Sequence, residues 1–117
     1  MIVAGQRLPF LIATRPVDFR CGHQGLALKV QTELRLDPHC GVSVVFRSTR
    51  GDRRKILVWD GTGMVLIYKV LEQGSFAWPT VQDGVMRLSR AQYEALFEGL
   101  DWRRVMAQRV QAPAAAG

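Results

Sequence analysis

Basic side chains crowd one short stretch in the middle of the chain. The run has five cations: Arg47, Arg50, Arg53, Arg54 and Lys55. They surround Gly51-Asp52, which predicts a hairpin turn in which Asp52 is the one carboxylate. Guanidinium forks match phosphate oxygens, and a two-stranded ribbon can enter the major groove of DNA. We therefore interpret this hairpin as a contact for a duplex backbone, with Lys69 and Arg20 as additional contacts. The alternative is a solvated turn that carries charge for solubility.

A second set of side chains could bind zinc: Cys21, His23, His39 and Cys40. Neither pair has the gap of two to four residues between cysteines that lets one turn present both sulfurs, and a long predicted helix separates the pairs. A disulfide between the two cysteines is equally unfavoured in a reducing compartment. We expect two free thiols and no metal site.

Catalytic constellations are missing from the sequence. A two-metal nuclease would recruit carboxylates such as Asp18, Asp37, Asp60 and Glu72. Nothing in their spacing places two of them together on one face. Asp37 precedes a proline and Asp60 precedes a glycine, which is typical of turn residues. With no nucleophile elbow and no phosphate-binding glycine loop either, we expect no catalytic residue, no cofactor and no enzymatic activity.

Length, composition and charge limit the class of protein. The chain has 117 residues, 48% of them hydrophobic, which fits one globular domain over residues 1–110 and a flexible tail over 111–117. Sixteen basic and ten acidic residues give a net charge of +6, which favours a polyanion or an acidic protein as partner. No apolar run approaches the length of about 20 residues that spans a membrane, and no secretory signal is evident. We expect a cytoplasmic protein without membrane association.

Hydrophobic periodicity predicts the secondary structure. Leu8–Thr14 is a first strand, and apolar residues at helical spacing from Leu26 to Leu34 predict an amphipathic helix that ends before Asp37-Pro38. Three β-rich runs follow: Val42–Ser48, Lys55–Trp59 and Met64–Leu71. Their connections are too short for parallel crossovers, so an antiparallel meander is predicted. The last run is apolar on both faces, so this strand should be central and covered on each side, or should face a partner.

The C-terminal part of the chain predicts one further strand and one or two helices. Ser75–Trp78 is a short strand that Pro79 ends. Ser89 and Gln92 have the spacing of a capping box, and Gly99 is the predicted terminator of the helix that follows. Asp101 could cap a second short helix in which Trp102, Val105 and Met106 face inward. The predicted fold class is therefore α+β: an antiparallel β meander with one helix inserted near the N-terminus and one or two C-terminal helices.

Two aromatic residues are candidates for a protein interface. Phe76 and Trp78 lie beside Pro79 at the end of the predicted short strand. Aromatic side chains are favoured both in cores and at the centres of interfaces. Trp78 is the first choice for an exposed anchor because it comes last in the strand.

An ordered set of short motifs then points to a known family. Its members are Asp18-Phe19-Arg20, Gly25-Leu26, Asp37-Pro38, Phe46-Arg47, Lys55-Ile56-Leu57, Trp59-Asp60, Tyr68-Lys69, Leu71-Glu72, Phe76, Trp78-Pro79 and Gly99-Leu100-Asp101-Trp102. This set closely resembles the accessory protein TnpB, the product of the second open reading frame of insertion-sequence-66 type bacterial transposons. The resemblance covers about Val17 to Trp102. One departure is Val70, which stands where that family usually has arginine.

The resemblance implies an accessory role in transposition without catalysis of its own, because the strand-transfer chemistry of that family is attributed to a separate transposase. The leading hypothesis is a factor that contacts transposon DNA through the basic hairpin. The alternative is an adaptor that docks onto the transposase of the same element through Lys69–Pro79, with Trp78 as anchor and no direct DNA contact. The oligomeric state and the order of the strands stay open.

Overall fold

The computed structural model describes residues 10–79 and 84–105. In these residues the elements, in chain order, are β1 (Phe10–Ala13), α1 (His23–Thr32), β2 (Ser43–Arg47), β3 (Arg53–Trp59), β4 (Met64–Val70), β5 (Val85–Leu88), α2 (Arg90–Glu98) and a 3-10 turn (Trp102–Arg104). The five strands form one sheet in the order β4-β3-β2-β1-β5. The α+β class with its N-terminal and C-terminal helices is confirmed.

The sheet combines the predicted meander with one parallel pair. Strands β2, β3 and β4 follow one another as antiparallel neighbours. Strand β1 pairs parallel with β2, because α1 lies between them in the chain and carries it back across the sheet. Strand β5 then pairs antiparallel with the free side of β1.

One predicted strand is not a strand, one strand was not predicted, and a third lies at an unexpected position in the sheet. Ser75–Trp78 is not a strand; it is an irregular segment that is tied to the hairpin by a hydrogen bond from the Phe76 amide to the carbonyl of Gly51. Val85–Leu88 was missed because a four-residue edge strand has too short a pattern to detect. Strand β4 is at the edge of the sheet, not at its centre.

Each face of the sheet has its own core. On one face, Leu26 and Val30 of α1 pack with Val44, Phe46 and Leu57. On the other face, Tyr93 and Leu96 of α2 pack with a cluster that comprises Phe10, Ile12, Val45, Ile56, Phe76 and Trp102. Helices on both faces explain why the strands are apolar on both sides.

The predicted signals at both ends of α2 are confirmed. The Ser89 hydroxyl accepts a hydrogen bond from the Gln92 amide, and the Gln92 side chain accepts one from the Ser89 amide. Gly99 closes the helix with a φ of 83°, a left-handed geometry that favours glycine. Asp101 caps the 3-10 turn through the Arg103 amide. Leu8, Met106 and the tail 111–117 lie outside the described residues.

Candidate nucleic-acid interface

The cations of the β2–β3 hairpin do not form one continuous surface. Alternate residues of a strand point to opposite faces of the sheet. Arg47, Arg54 and Lys69 are direct partners across β2, β3 and β4, so they share the face that α2 covers. Arg53 and Lys55 point to the α1 face. The five cations of the hairpin therefore do not share one surface, because the pleat divides neighbouring cations between the two faces of the sheet.

Arg54 is in the core. Its side chain is 1% exposed, and its guanidinium lies 4.6 Å from the ring centres of both Phe76 and Phe97. Its Nη2 donates a hydrogen bond of 2.7 Å to the backbone carbonyl of Phe97. Burial lowers the pKa of Arg54 to about 10. Because the charged head faces inward, the prediction that Arg54 is a phosphate contact is not supported by its position.

Lys69 is bound at the same carbonyl. Its Nζ donates to the Phe97 carbonyl at 2.6 Å and lies 4.9 Å from the Phe97 ring centre. The last carbonyls of a helix have no partner within the helix and carry partial negative charge. Arg54 and Lys69 thus act together as a side-chain cap on the C-terminal end of α2, a role that sequence reasoning missed.

Lys55 is also turned away from solvent. It is 7% exposed, and its Nζ donates to the carbonyls of Phe19 and Cys21 at 2.7 and 3.1 Å. The ammonium lies about 5 Å from the rings of Phe19 and Tyr68. The position of the Lys55 ammonium does not support its predicted contact with a phosphate. Its position instead fixes the loop that precedes α1.

Three of the predicted contacts do converge. Arg20, Arg50 and Arg53 line a groove of about 600 Å3 between the loop before α1 and the β2–β3 turn, on the α1 side of the sheet. Ser48, Thr49, Phe19 and Tyr68 also line it. We call this feature the arginine groove. Tyr68 was missed as a site residue; its place next to Lys69 in the apolar run gave no signal that its side chain would be exposed.

Two of the three arginines have acidic partners. Arg20 forms a bidentate ion pair with Asp18, with Nη2 and Oδ2 2.7 Å apart, and these hydrogen bonds lower the pKa of Asp18 to about 2. The Nε of Arg53 lies 3.6 Å from Asp52, while its Nη1 donates to the Tyr68 hydroxyl at 3.0 Å. Arg50 is exposed at the turn. The groove keeps a net positive charge. This charge is smaller than that of three unpaired arginines, because Asp18 and Asp52 offset part of it.

Buried polar atoms lie at the wall of the groove. Ser48 is 6% exposed, and its hydroxyl has no hydrogen-bond partner among residues 10–79 and 84–105. An unsatisfied buried hydroxyl is costly and rare in folded proteins.

The two predicted aromatic anchors are largely occupied within the protein. Phe76 is 6% exposed and packs on Arg54, so it is not available as a surface anchor. Trp78 is half-buried, with its indole nitrogen donating to the Ala13 carbonyl at 3.2 Å. Arg47 lies 5.7 Å from the Trp78 ring centre, on the face opposite to the arginine groove. Part of the Trp78 ring stays open to solvent.

Within the described ranges, no group of three or more histidine, cysteine, aspartate or glutamate side chains could hold a metal ion. Cys21 and Cys40 are both free thiols. Asp60 is occupied as a turn residue: its Oδ1 accepts from the amides of Thr62 and Gly63, which lowers the pKa of Asp60. No helix in the described part of the chain is long and apolar enough to cross a bilayer.

The model of the family described as IS66 Orf2-like protein matches residues 8–107. The chain belongs to the IS66 Orf2-like family. Curated relatives in Sinorhizobium fredii (strain NBRC 101917 / NGR234) are similar over most of their length. Uncharacterized protein y4jC is 44% identical over 113 residues, which are 97% of each chain. Uncharacterized protein y4hO is 42% identical over 103 residues, which are 88% of this chain and 90% of that protein. No solved structure matches.

Membership in this family makes the protein an accessory component of transposition of the Orf2 type. The resemblance expected from the motifs is thereby confirmed. The match includes the arginine groove, the β2–β3 hairpin and the α2 cap.

Proposed function

We propose that the protein is a non-enzymatic accessory factor that contacts transposon DNA through the arginine groove. The observation that carries the proposal is the convergence of Arg20, Arg50 and Arg53 at one groove. Arginine forks are the side chains that best match phosphate oxygens. The net charge of +6 supports the same partner class.

The groove suits a phosphate backbone better than base recognition. Arg20 and Arg53 are already held by Asp18 and Asp52, so they present fixed donors with a reduced net charge. Contacts of this kind position a protein on DNA and carry little sequence information. We therefore expect modest affinity, strong salt dependence and weak sequence preference.

Binding of a fluorescent duplex from the transposon end, measured at several salt concentrations, tests the proposal. The groove variant combines Arg20→Gln, Arg50→Gln and Arg53→Gln. The control variant combines Arg87→Gln, Arg90→Gln and Arg104→Gln, which removes the same charge from exposed arginines on β5, α2 and the 3-10 turn. The groove variant should lose affinity by about tenfold or more, and its slope of log affinity against log salt should fall by about 2 to 3.

The control variant should bind within about twofold of the unmodified protein, because its charges lie outside the groove. An equal loss in both variants would show diffuse charge attraction and overturn the groove. A complete lack of salt-dependent DNA binding would overturn the DNA role. The adaptor alternative would then predict that Trp78→Ala impairs capture of the transposase of the same element, through the part of the ring that stays open.

A further inference from the structure

Strand β4 forms an open edge of the sheet. Within residues 10–79 and 84–105 it pairs with β3 alone. The pairing runs without a bulge from Arg53↔Val70 to Trp59↔Met64. An uninterrupted edge of seven residues is a ready template for another strand.

The pattern of hydrogen bonds identifies the residues that face outward. The Leu71 amide donates to the Asp52 carbonyl and the Asp60 amide donates to the Gly63 carbonyl. In an antiparallel ladder the bonded pairs alternate, so Val65, Ile67 and Lys69 direct their backbone groups toward β3. The remaining residues direct their amides and carbonyls toward the open side: Met64, Leu66, Tyr68 and Val70. Tyr68 and Val70 are also among the exposed large apolar residues, at 46% and 39%.

The usual protections of a sheet edge are missing from β4. It contains no proline, and its one charged side chain, Lys69, is bound at the Phe97 carbonyl under α2. The opposite edge is different, because β5 has four residues and carries the exposed Arg87. Short, charged edges resist further pairing. Among the described residues, the β5 edge is thus protected against further pairing and the β4 edge is not.

We propose that β4 pairs antiparallel with β4 of a second copy of this chain, about a two-fold axis at Ile67. In this register Met64 lies opposite Val70 of the second copy, and Leu66 lies opposite Tyr68. All four outward-facing residues of each strand then form bonded pairs, for about eight hydrogen bonds across the interface.

The edge of β4 is complementary to a second copy of itself, because its four outward-facing residues are all uncharged and largely apolar. The net charge of +6 opposes the association of two copies, so their contact surface has to be neutral. About the Ile67 axis, Lys69 falls opposite Val65 of the second copy, and no like charges of β4 are opposed. Registers centred on Leu66 or Tyr68 shorten the overlap of the two strands. The longest register therefore opposes no like charges within β4 itself.

The dimer would also join the two arginine grooves. Tyr68 lines the groove and stands one residue from the proposed axis. Two copies would bring Arg20, Arg50 and Arg53 of each molecule to neighbouring positions on the α1 side of a ten-stranded sheet. This consequence rests on the proposed function, whereas the pairing itself does not depend on DNA.

Sedimentation equilibrium of the full chain without DNA, over a wide concentration series, tests the pairing. The unmodified protein should approach twice the monomer mass of 13.1 kDa. Val70→Pro removes an outward amide that β3 does not use, so it should give a folded monomer with an unchanged circular dichroism spectrum. Its melting temperature should not depend on protein concentration, whereas that of the unmodified dimer should rise with concentration. Val70→Ala keeps the amide and should stay dimeric. A monomeric unmodified protein, or a dimeric Val70→Pro variant, would overturn the proposal.

A charge exchange tests the register. Val70→Lys alone and Met64→Glu alone each place a charge opposite an apolar residue and should weaken the dimer. In the double variant each new lysine faces a new glutamate of the second copy, whereas the two positions lie at opposite ends of β4 within one molecule. Restoration of the dimer would support pairing about Ile67. Failure to restore it would overturn this register and the proposal with it. Because no DNA is present, either result is independent of the DNA-binding experiment.

Discussion

The guanidinium of Arg54 donates to the backbone carbonyl of Phe97 at 2.7 Å, across 43 residues of sequence. Lys69 donates to the same oxygen. These two cations therefore cap the C-terminal end of α2 and hold this helix against strands β3 and β4. Composition alone would suggest that these cations bind a ligand. In the structure they bind a backbone carbonyl of the same chain.

Arg54 should stabilise the fold mainly because its side chain packs between the rings of Phe76 and Phe97. Its charge should contribute less. Arg54→Ala leaves a gap between Phe76 and Phe97 and should lower the free energy of unfolding by about 3 kcal/mol. Arg54→Met fills most of that space, and Lys69 still satisfies the carbonyl, so its cost should stay below about 1.5 kcal/mol. Urea unfolding measures both. Equal losses would indicate that the charge and its hydrogen bond dominate.

Lys55 should stabilise the loop before α1. Lys55→Met removes the donor to the carbonyls of Phe19 and Cys21 and should cost about 2 kcal/mol, because hydrogen bonds from charged groups are strong and the carbonyls lose this donor. Lys29→Met is the matched control, since Lys29 forms an exposed pair with Glu33 that should be worth no more than about 0.5 kcal/mol. The two urea midpoints give the comparison. A cost for Lys55→Met as small as that of the control would contradict this role.

Gly99 should be less tolerant of a methyl group than other glycines of positive φ. Gly99 has a φ of 83°, and a Cβ there would lie 2.9 Å from the Leu71 Cδ2. Gly61 has a φ of 105° with open space around it. Gly61→Ala should therefore cost about 1 kcal/mol from backbone strain alone, and Gly99→Ala should cost about 2 kcal/mol or more. Thermal unfolding of both variants measures the difference. Equal costs would show that Leu71 moves aside freely.

Tyr93 should make the fold less stable at high pH. Burial is the main reason that the pKa of Tyr93 rises from 10.0 to about 12. Between these values the unfolded chain releases the phenol proton while the folded chain keeps it, so the free energy of unfolding falls as the pH rises. Tyr93→Phe keeps the stacking on Phe10 and removes this titration.

Urea unfolding of both proteins from pH 9 to pH 12 measures the effect of Tyr93. The unmodified protein should lose about 2 kcal/mol relative to Tyr93→Phe across this window. The lowered pKa of Arg54 acts in the opposite direction, and Arg54 interacts with ionised Tyr93, so the two groups titrate as a coupled pair in the unmodified protein. Parallel pH profiles would contradict a buried, protonated phenol.

The sequence by itself determined the features that depend on neighbouring residues. The capping box at Ser89, the left-handed Gly99 and the hairpins of the β2–β3–β4 meander follow from short-range geometry, and the structure confirms them. The family followed from ordered short motifs, and the match over residues 8–107 confirms it. Strand β5 escaped detection because its pairing with β1 joins residues more than 70 positions apart.

Only the tertiary structure decided which cations face solvent. Arg53, Arg54 and Lys55 are consecutive in sequence, but the pleat sends Arg54 under α2 and Lys55 under the loop before α1. Arg20 joins Arg50 and Arg53 across about 30 residues of chain because that loop folds back over the hairpin. Strand order likewise placed β4 at an open edge. The sequence shows directly which residues are charged or apolar. The partner of each side chain cannot be predicted from it, because that partner depends on contacts between segments that are distant in the chain.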